Sequence, residues 1–459
     1  MTDQPTTLLI LGASGDLTQR LLLPGLGTLF KEEPQRAVTV VGADRLELSD
    51  DDWRSRVRGA MAQAQLPDDL AAPVVDGTRY VQTDALDQGQ LSSLLAATTE
   101  PLIIYFALPP SVTVKVCALL EKIGVPRGTR LALEKPFGSD LASARELNKQ
   151  LLRVVPENDI YRIDHFLGVN TILNLLGIRF ANRLLMPIWS NEHIDRVEIT
   201  YDESLALEGR AGYYDKAGAL LDMIQSHLLE ILAFFSLEAP ATMHAEEIRS
   251  LKAQVLRAVH PWGHDPASAS RRARYTAGTL GDRQIPNYVD EDGVDPQRGT
   301  ETLAQLTLQL DNARWAGVPF VLRSGKAIGT ACKRITVTFK APAHVPSGFK
   351  DSPRPDRLIL DIKPGAVTLD LSMNAEGDPF ELEQKELQAE LGKPRMLPYG
   401  EILGAILDGD PFMTIRGDEA EELWRIVEPV LAEWEAGHVE LEEYAAGSAG
   451  PEGWDRPPR

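Results

Sequence analysis

Five short runs of residues carry the types and spacings that could do chemistry. The first is Gly12-Ala13-Ser14-Gly15-Asp16-Leu17-Thr18, which follows the apolar run TLLILG. A strand that turns on glycine into a helix brings free backbone N–H groups close to a ligand, a geometry suited to a pyrophosphate. The spacing is a shortened form of the dinucleotide fingerprint, and an ordinary βα turn with a capping Ser or Asp would look the same. The second run is Gly42-Ala43-Asp44-Arg45. At a second strand end, an acid favours the 2′-hydroxyl of NAD and an arginine favours the 2′-phosphate of NADP. Both stand here side by side.

The third run is Glu134-Lys135-Pro136-Phe137-Gly138, which puts a lysine where open α/β sheets place their ligands. The fourth is Arg162-Ile163-Asp164-His165-Phe166-Leu167-Gly168, with an adjacent acid and imidazole. The fifth, from Gly212 to His227, sets Asp222 and His227 inside the most apolar helical stretch of the chain. A histidine in such a stretch is either a satisfied core residue or a base whose pKa lies near neutrality.

The elements that must hold these residues follow from hydrophobic patterning. Apolar runs at 7–12, 37–45, 78–84, 101–108 and 129–138 alternate with helix-like segments such as Asp51–Gln65 and Ser111–Ile123. That alternation predicts βαβ units and a doubly wound parallel sheet. RVVPENDIYRIDHF reads as a joint, after which helices are expected at Asn170–Ala181 and Gly218–Phe235. Alternating strands then follow at 196–204, 300–310, 314–325, 334–341, 356–364 and 366–373, a pattern for a mainly antiparallel sheet covered by helices. The expected division is a Rossmann-like dinucleotide domain over 1–155 and an α+β substrate domain over 156–459. The acidic segment Glu419–Glu435 reads as a helix and the tail from Gly447 as a loop.

Composition narrows the classes. The chain has 459 residues, 43% of them hydrophobic, and a formal charge of −20. This excludes a disordered chain and argues against nucleic acid or an anionic membrane as partner. Two cysteines are too few for a disulfide scaffold, and a reducing cytoplasm fits. No targeting segment is visible, and no apolar run reaches the roughly 20 residues of a membrane helix. The eight histidines show no ligand spacing, so no metal is implied. An acidic protein that binds an anionic substrate must do so with a few placed cations.

Taken in order, GASGDL, YFALPP, EKPFG, RIDHFLG, GRAGYYD…GALLDMIQSHLL, GVPFVLRSGKA and AGSAGP resemble the glucose-6-phosphate dehydrogenase family over almost the whole chain. The resemblance implies oxidation of C1 of glucose 6-phosphate to a lactone, with a hydride passed to NADP or NAD. It implies His227 as general base and Asp164 as the carboxylate that orients it. It implies Lys135 as a residue touching sugar and coenzyme, and Glu203, Asp222 and Lys326 as ligands of sugar hydroxyls. Gly12, Ser14, Gly15, Asp16, Leu17 and Arg45 match coenzyme positions. A homodimer or homotetramer associating through the large sheet is implied as well.

The departures are specific. The family pattern RIDHYLGKE is changed by Phe166, Val169 and Asn170. The family's second basic residue, five positions after the lysine of the GKA turn, is Ala331. Of the usual phosphate ligands only His165 is kept. Lys333 and Lys363 are the candidates to restore the lost charge. Leu21 replaces a basic residue that can meet the 2′-phosphate, which with Asp44 predicts use of both NADP and NAD. Three readings stand at this point. One is a glucose-6-phosphate dehydrogenase with a rebuilt phosphate pocket. Another is the same chemistry on free glucose or another 6-substituted glucose. The last is a non-catalytic paralogue.

Overall fold

The computed structural model describes residues 5–454, so the last five residues of the expected tail loop lie outside the described residues. The chain folds into two compact units. The first comprises residues 1–170, 240–250 and 394–421, and the second 171–239, 251–393 and 422–459.

The first unit is built on a parallel sheet of β1 (Thr6–Leu11), β2 (Val38–Asp44), β3 (Arg79–Gln82), β4 (Leu102–Phe106), β5 (Arg130–Glu134) and β6 (Ile160–Ile163). The order is β6-β5-β4-β1-β2-β3, and the short strand Thr414–Ile415 pairs antiparallel with β6 at the edge. The apolar runs become strands because both faces are covered: five of the six residues of β1 and all five of β4 are buried. The order reverses between β4 and β1, and ligands of such sheets bind at the carboxyl ends beside that reversal. Gly12, Asp44, Lys135 and Asp164 each follow or end a strand of this sheet, so four of the five motifs share its carboxyl edge.

The segment read as a joint contains β6. Its four residues are all buried, Arg162 included. Arg162 donates to both Glu157 carboxylate oxygens, at 2.7 and 3.3 Å, and to Asn148 Oδ1 from Nε and Nη2, at 3.1 and 2.8 Å. Glu157 also accepts from Arg249 and from the Gly417 N–H. A fully buried guanidinium survives only with such pairing. The polar composition of this stretch hid the strand.

The second unit holds β7 (Ile194–Asp202), β8 (Val259–Pro261), β9 (Ser270–Thr276), the hairpin β10 (Gly278–Leu280) and β11 (Arg283–Ile285), β12 (Leu303–Leu310), β13 (Phe320–Gly325), β14 (Cys332–Phe339), β15 (Arg357–Asp361), β16 (Ala366–Asn374) and β17 (Leu382–Glu390). The large sheet runs β17-β16-β15-β14-β7-β13-β12-β9 and ends on the strand Leu441–Ala445. It is mainly antiparallel. Its two parallel pairings join β7 to β13 and β9 to the strand Leu441–Ala445. β17 is not among the expected strands. Its sequence LEQKELQAE is largely exposed, so backbone pairing with β16 rather than apolar alternation makes it a strand.

The apolar helix is longer than expected and is wound differently. It runs from Ala211 to Ser236, with π-type hydrogen bonding over Leu220–Leu228. Its length and mean hydropathy of 1.3 would suffice to cross a membrane, yet 94% of its apolar window is buried in the protein. The π segment packs on β12 and β13, and Phe235, Trp189, Trp315 and Phe320 close the core at its far end.

Candidate active site

In the first unit, the turn after β1 is shaped for close approach. Gly12 has φ +86°, and a Cβ there would lie 2.2 Å from the Ala107 carbonyl oxygen. No other residue allows β1 and β4 to end this close together. The Asp16 and Leu17 N–H groups open the following helix, where backbone donors have no partner within the helix. Asp44 sits against the same turn. Its Oδ2 accepts from Ser14 Oγ at 2.6 Å and from the Ser14 N–H at 3.2 Å, and its Oδ1 accepts from the Arg45 N–H at 2.7 Å. The Arg45 side chain is exposed, as is Leu21. The bare glycine turn, the open helix end and the carboxylate at the end of β2 fit the phosphates and ribose of a dinucleotide.

At the ends of β5 and β6 the structure adds residues that the motifs did not announce. Lys135 follows Glu134 and precedes a cis proline. The Glu134 carboxyl accepts a short hydrogen bond from Tyr105 and another from Tyr399 Oη at 3.2 Å. Removal from water pushes its pKa up to about 7, against the pull of these phenols and of Lys135. The Tyr399 ring also stacks on His165, with centroids 5.9 Å apart and planes 11° from parallel. Asp164 is buried and accepts from the Phe166 N–H at 2.9 Å, which opens the tight turn His165–Gly168. Tyr399 stands on the helix Pro398–Asp408, which packs on that turn and on the helix Leu23–Glu32. Its signal was legible: Pro398 at the start, Gly409 at the end, and Tyr399, Ile402, Leu403 and Ile406 at helical spacing.

In the second unit, three strand ends meet. The parallel register of β7 and β13 sets Asp202 opposite Gly325, so the next residues, Glu203 and Lys326, stand side by side. The antiparallel register of β14 sets Lys333 opposite Tyr201. Lys326 Nζ lies 3.0 Å from Glu203 Oε2, and Lys333 Nζ lies 3.5 Å from Glu203 Oε1. Burial alone would raise the Glu203 carboxyl, but the two ammonium groups overcome it and hold it below its usual range. Each lysine also rests on an aromatic face: Lys326 is 4.9 Å from the Tyr214 ring centroid, and Lys333 is 4.4 Å from that of Tyr201. Lys363 follows β15, is exposed, and enters no ion pair among the described residues.

Asp222 and His227 are buried in the π segment, five residues apart. Five residues is the hydrogen-bond repeat of this winding. Tyr213 shares a hydrogen bond with Asp222, and burial together with that carboxylate raises the phenol's pKa.

Residues 9–174 match the family model described as glucose-6-phosphate dehydrogenase, NAD binding domain, and residues 176–457 match the model for the C-terminal domain of the same enzyme. The chain belongs to the glucose-6-phosphate dehydrogenase family. It is 37% identical to the glucose-6-phosphate 1-dehydrogenase of Gluconobacter oxydans, over 98% of this chain and 95% of that one. It is 35% identical to that of Treponema pallidum, over 99% and 93%. A crystal structure of the Mycobacterium avium enzyme superposes with a TM-score of 0.84 at 31% identity, covering 98% of this chain and 96% of that one. A structure described as glucose-6-phosphate dehydrogenase in complex with its substrate superposes with a TM-score of 0.87 at 28% identity, over the same shares. The chain is therefore an NAD(P)-dependent dehydrogenase with the Rossmann-like sheet and large mainly antiparallel sheet of its family.

Glu134 yields a linkage prediction. Unfolded, its carboxyl ionises near 4.5, and folded near 7. Its favourable contribution is complete below about 4.5 and is lost as pH rises through 7. In thermal melts, Glu134→Gln should gain on the wild type over this window, by roughly 3 kcal/mol. A stability difference that stays constant from pH 4.5 to 8 counts against a buried, proton-holding Glu134.

Proposed function

We infer that this chain oxidises the C1 hydroxyl of glucose 6-phosphate to the 1,5-lactone and uses either NADP or NAD. The observation that carries this reading is the charge around Glu203. Two lysines meet at one carboxylate in a protein of net charge −20. Neutral glucose has no use for a cation beyond the one that pairs with Glu203, whereas a 6-phosphate does.

The roles follow. Lys326, Glu203 and Asp222 hold sugar hydroxyls. Lys333 supplies the cation that Ala331 does not. We assign that part to Lys333 rather than Lys363 because Lys333 is already aimed at Glu203, while Lys363 lies exposed. His227 takes the C1 hydroxyl proton. A bound nicotinamide would supply the acceptor for the hydride that leaves C1. The parts of Asp164, His165 and Lys135, at the carboxyl ends of β6 and β5, rest on the family resemblance. Gly12, Ser14, Gly15, Asp16, Leu17, Asp44 and Arg45 form the coenzyme turn. Asp44 faces a 2′-phosphate with a negative charge and Arg45 with a positive one, which weakens the preference for NADP. The unpaired cysteines Cys117 and Cys332 suit a cytoplasmic enzyme, and family resemblance points to a homodimer or homotetramer.

His227→Asn should lower kcat by about 10²- to 10⁴-fold, the usual worth of a positioned base; an unchanged rate means that another residue is the base. Lys333→Ala should raise KM for glucose 6-phosphate by at least about tenfold, since a charged hydrogen bond is worth roughly 1.5–3 kcal/mol. Any turnover of free glucose should be unaffected by that change, and an unmoved KM for the phosphate ester removes Lys333 from the pocket. The ratio of kcat/KM for NADP over NAD should stay below about a thousand, or roughly 4 kcal/mol of discrimination. A larger ratio overturns dual use.

A further inference from the structure

The helical run that carries Asp222 and His227 is broken and restarted at Gly218. That residue has φ +65° and ψ 179°. A Cβ on it would lie 2.2 Å from Glu301 Oε1, so the space a side chain would need is filled by the Glu301 carboxylate. The Leu220 N–H donates to Glu301 Oε1 at 2.9 Å, and the Ala219 N–H donates to the Glu301 carbonyl at 3.3 Å. These are first-turn donors of the restarted helix, which find no partner inside it. A negative group at that end also meets the positive pole of the helix.

The residues flanking Glu301 tie further parts together. Thr300 Oγ1 donates to the Asp215 carbonyl at 2.6 Å, on the helix before the break. The Thr302 carbonyl accepts from the Lys326 N–H at 2.8 Å. Thr302 Oγ1 shares a 2.8 Å hydrogen bond with Tyr444 Oη, which donates to the Lys326 carbonyl at 2.7 Å. One tripeptide thus joins the helix before Gly218, the helix after it and the turn bearing Lys326.

We propose that Glu301 is a positioning residue: its carboxylate caps the restarted helix and fixes where Asp222 and His227 stand along the helix axis relative to the Lys326 turn. This rests on the assignment of Asp222, His227 and Lys326 made above. Glu301 touches neither sugar nor coenzyme in this scheme and acts through the helix it caps.

The state of the carboxyl matters to the cap. Burial raises its pKa to about 7, against the pull of the backbone N–H groups and of Arg272. The groups facing it are Tyr214 from the preceding helix, Tyr288 from the turn Tyr288–Asp290, and Arg272 from β9. Above about pH 7 the group is an anion and the cap is complete. Below it the proton cancels the charge and leaves a neutral acceptor.

Two variants of the full-length protein test this. Glu301→Gln keeps an acceptor oxygen without the charge and mimics the protonated acid. The wild-type to Glu301→Gln ratio of kcat should be near one below pH 6 and rise to roughly threefold to tenfold above pH 8, the span of a charge at a helix end. KM for glucose 6-phosphate should rise only by a few-fold, because of the three sugar ligands Asp222 alone stands on the capped helix, whereas Lys326 and Glu203 are held by β13 and β7. A ratio that does not vary with pH overturns the carboxylate's part. Glu301→Ala removes the acceptor as well. Amide hydrogen exchange over 219–228 should then quicken by about tenfold, the usual cost of a lost cap. Unchanged exchange there, or faster exchange with unchanged kcat in both variants, overturns the proposal. The exchange readout does not depend on which residue is the base, so a failed His227→Asn test would remain distinguishable from a failed cap.

Discussion

A carboxylate held between two ammonium groups sets the terms for the second unit. Glu203 can stay ionised in a largely buried place only because Lys326 and Lys333 approach it from two different strands. The registers meet that requirement. β7 and β13 run parallel, so Glu203 and Lys326 leave their strands together, and β14 returns antiparallel, so Lys333 comes back beside Tyr201. The helix with Asp222 and His227 packs on β12 and β13, and through Glu301 it is referred to the same turn. A site for an anion in a strongly acidic protein is made by local geometry, since the net charge works against it.

The first unit solves a related problem with neutral groups. Glu134, next to Lys135, is surrounded by phenols rather than by full positive charges, and it keeps its proton to about pH 7. Glu203 and Glu134 are the same residue type, each at or just beyond a strand end. Two ammonium groups hold one down, whereas burial that the phenols do not offset drives the other up, which separates a permanent anion from a group poised near neutrality. Tyr399 joins that poised group to the face of His165.

The inner strands of the parallel sheet were readable because β1, β4 and β5 are apolar runs buried on both sides. The exceptions follow from the same rule. β6 carries a buried arginine whose side-chain partners, Glu157 and Asn148, lie outside the strand, and Glu157 is shared with Arg249 from far along the chain. β17 has no buried face at all. The helix Pro398–Asp408 had every local signal, but nothing local ties it to the first unit, which it joins from far along the chain.

The sequence by itself determined the family, the two kinds of sheet and the short motifs GASGDL, EKPFG, RIDHFLG and GALLDMIQSHLL. In these the chemistry lies within a few neighbouring residues, and the backbone alone delivers it to a strand or helix end. The tertiary structure alone decided that Lys333 and not Lys363 is aimed at Glu203, that Glu134 and Glu301 hold protons near neutrality, and that the helix bearing Asp222 and His227 starts on a borrowed carboxylate. Each of these depends on burial and on Coulomb partners a few ångströms away in space and tens to hundreds of residues away along the chain. No spacing rule reaches that far, because the interaction is set by distance and dielectric rather than by position in the sequence.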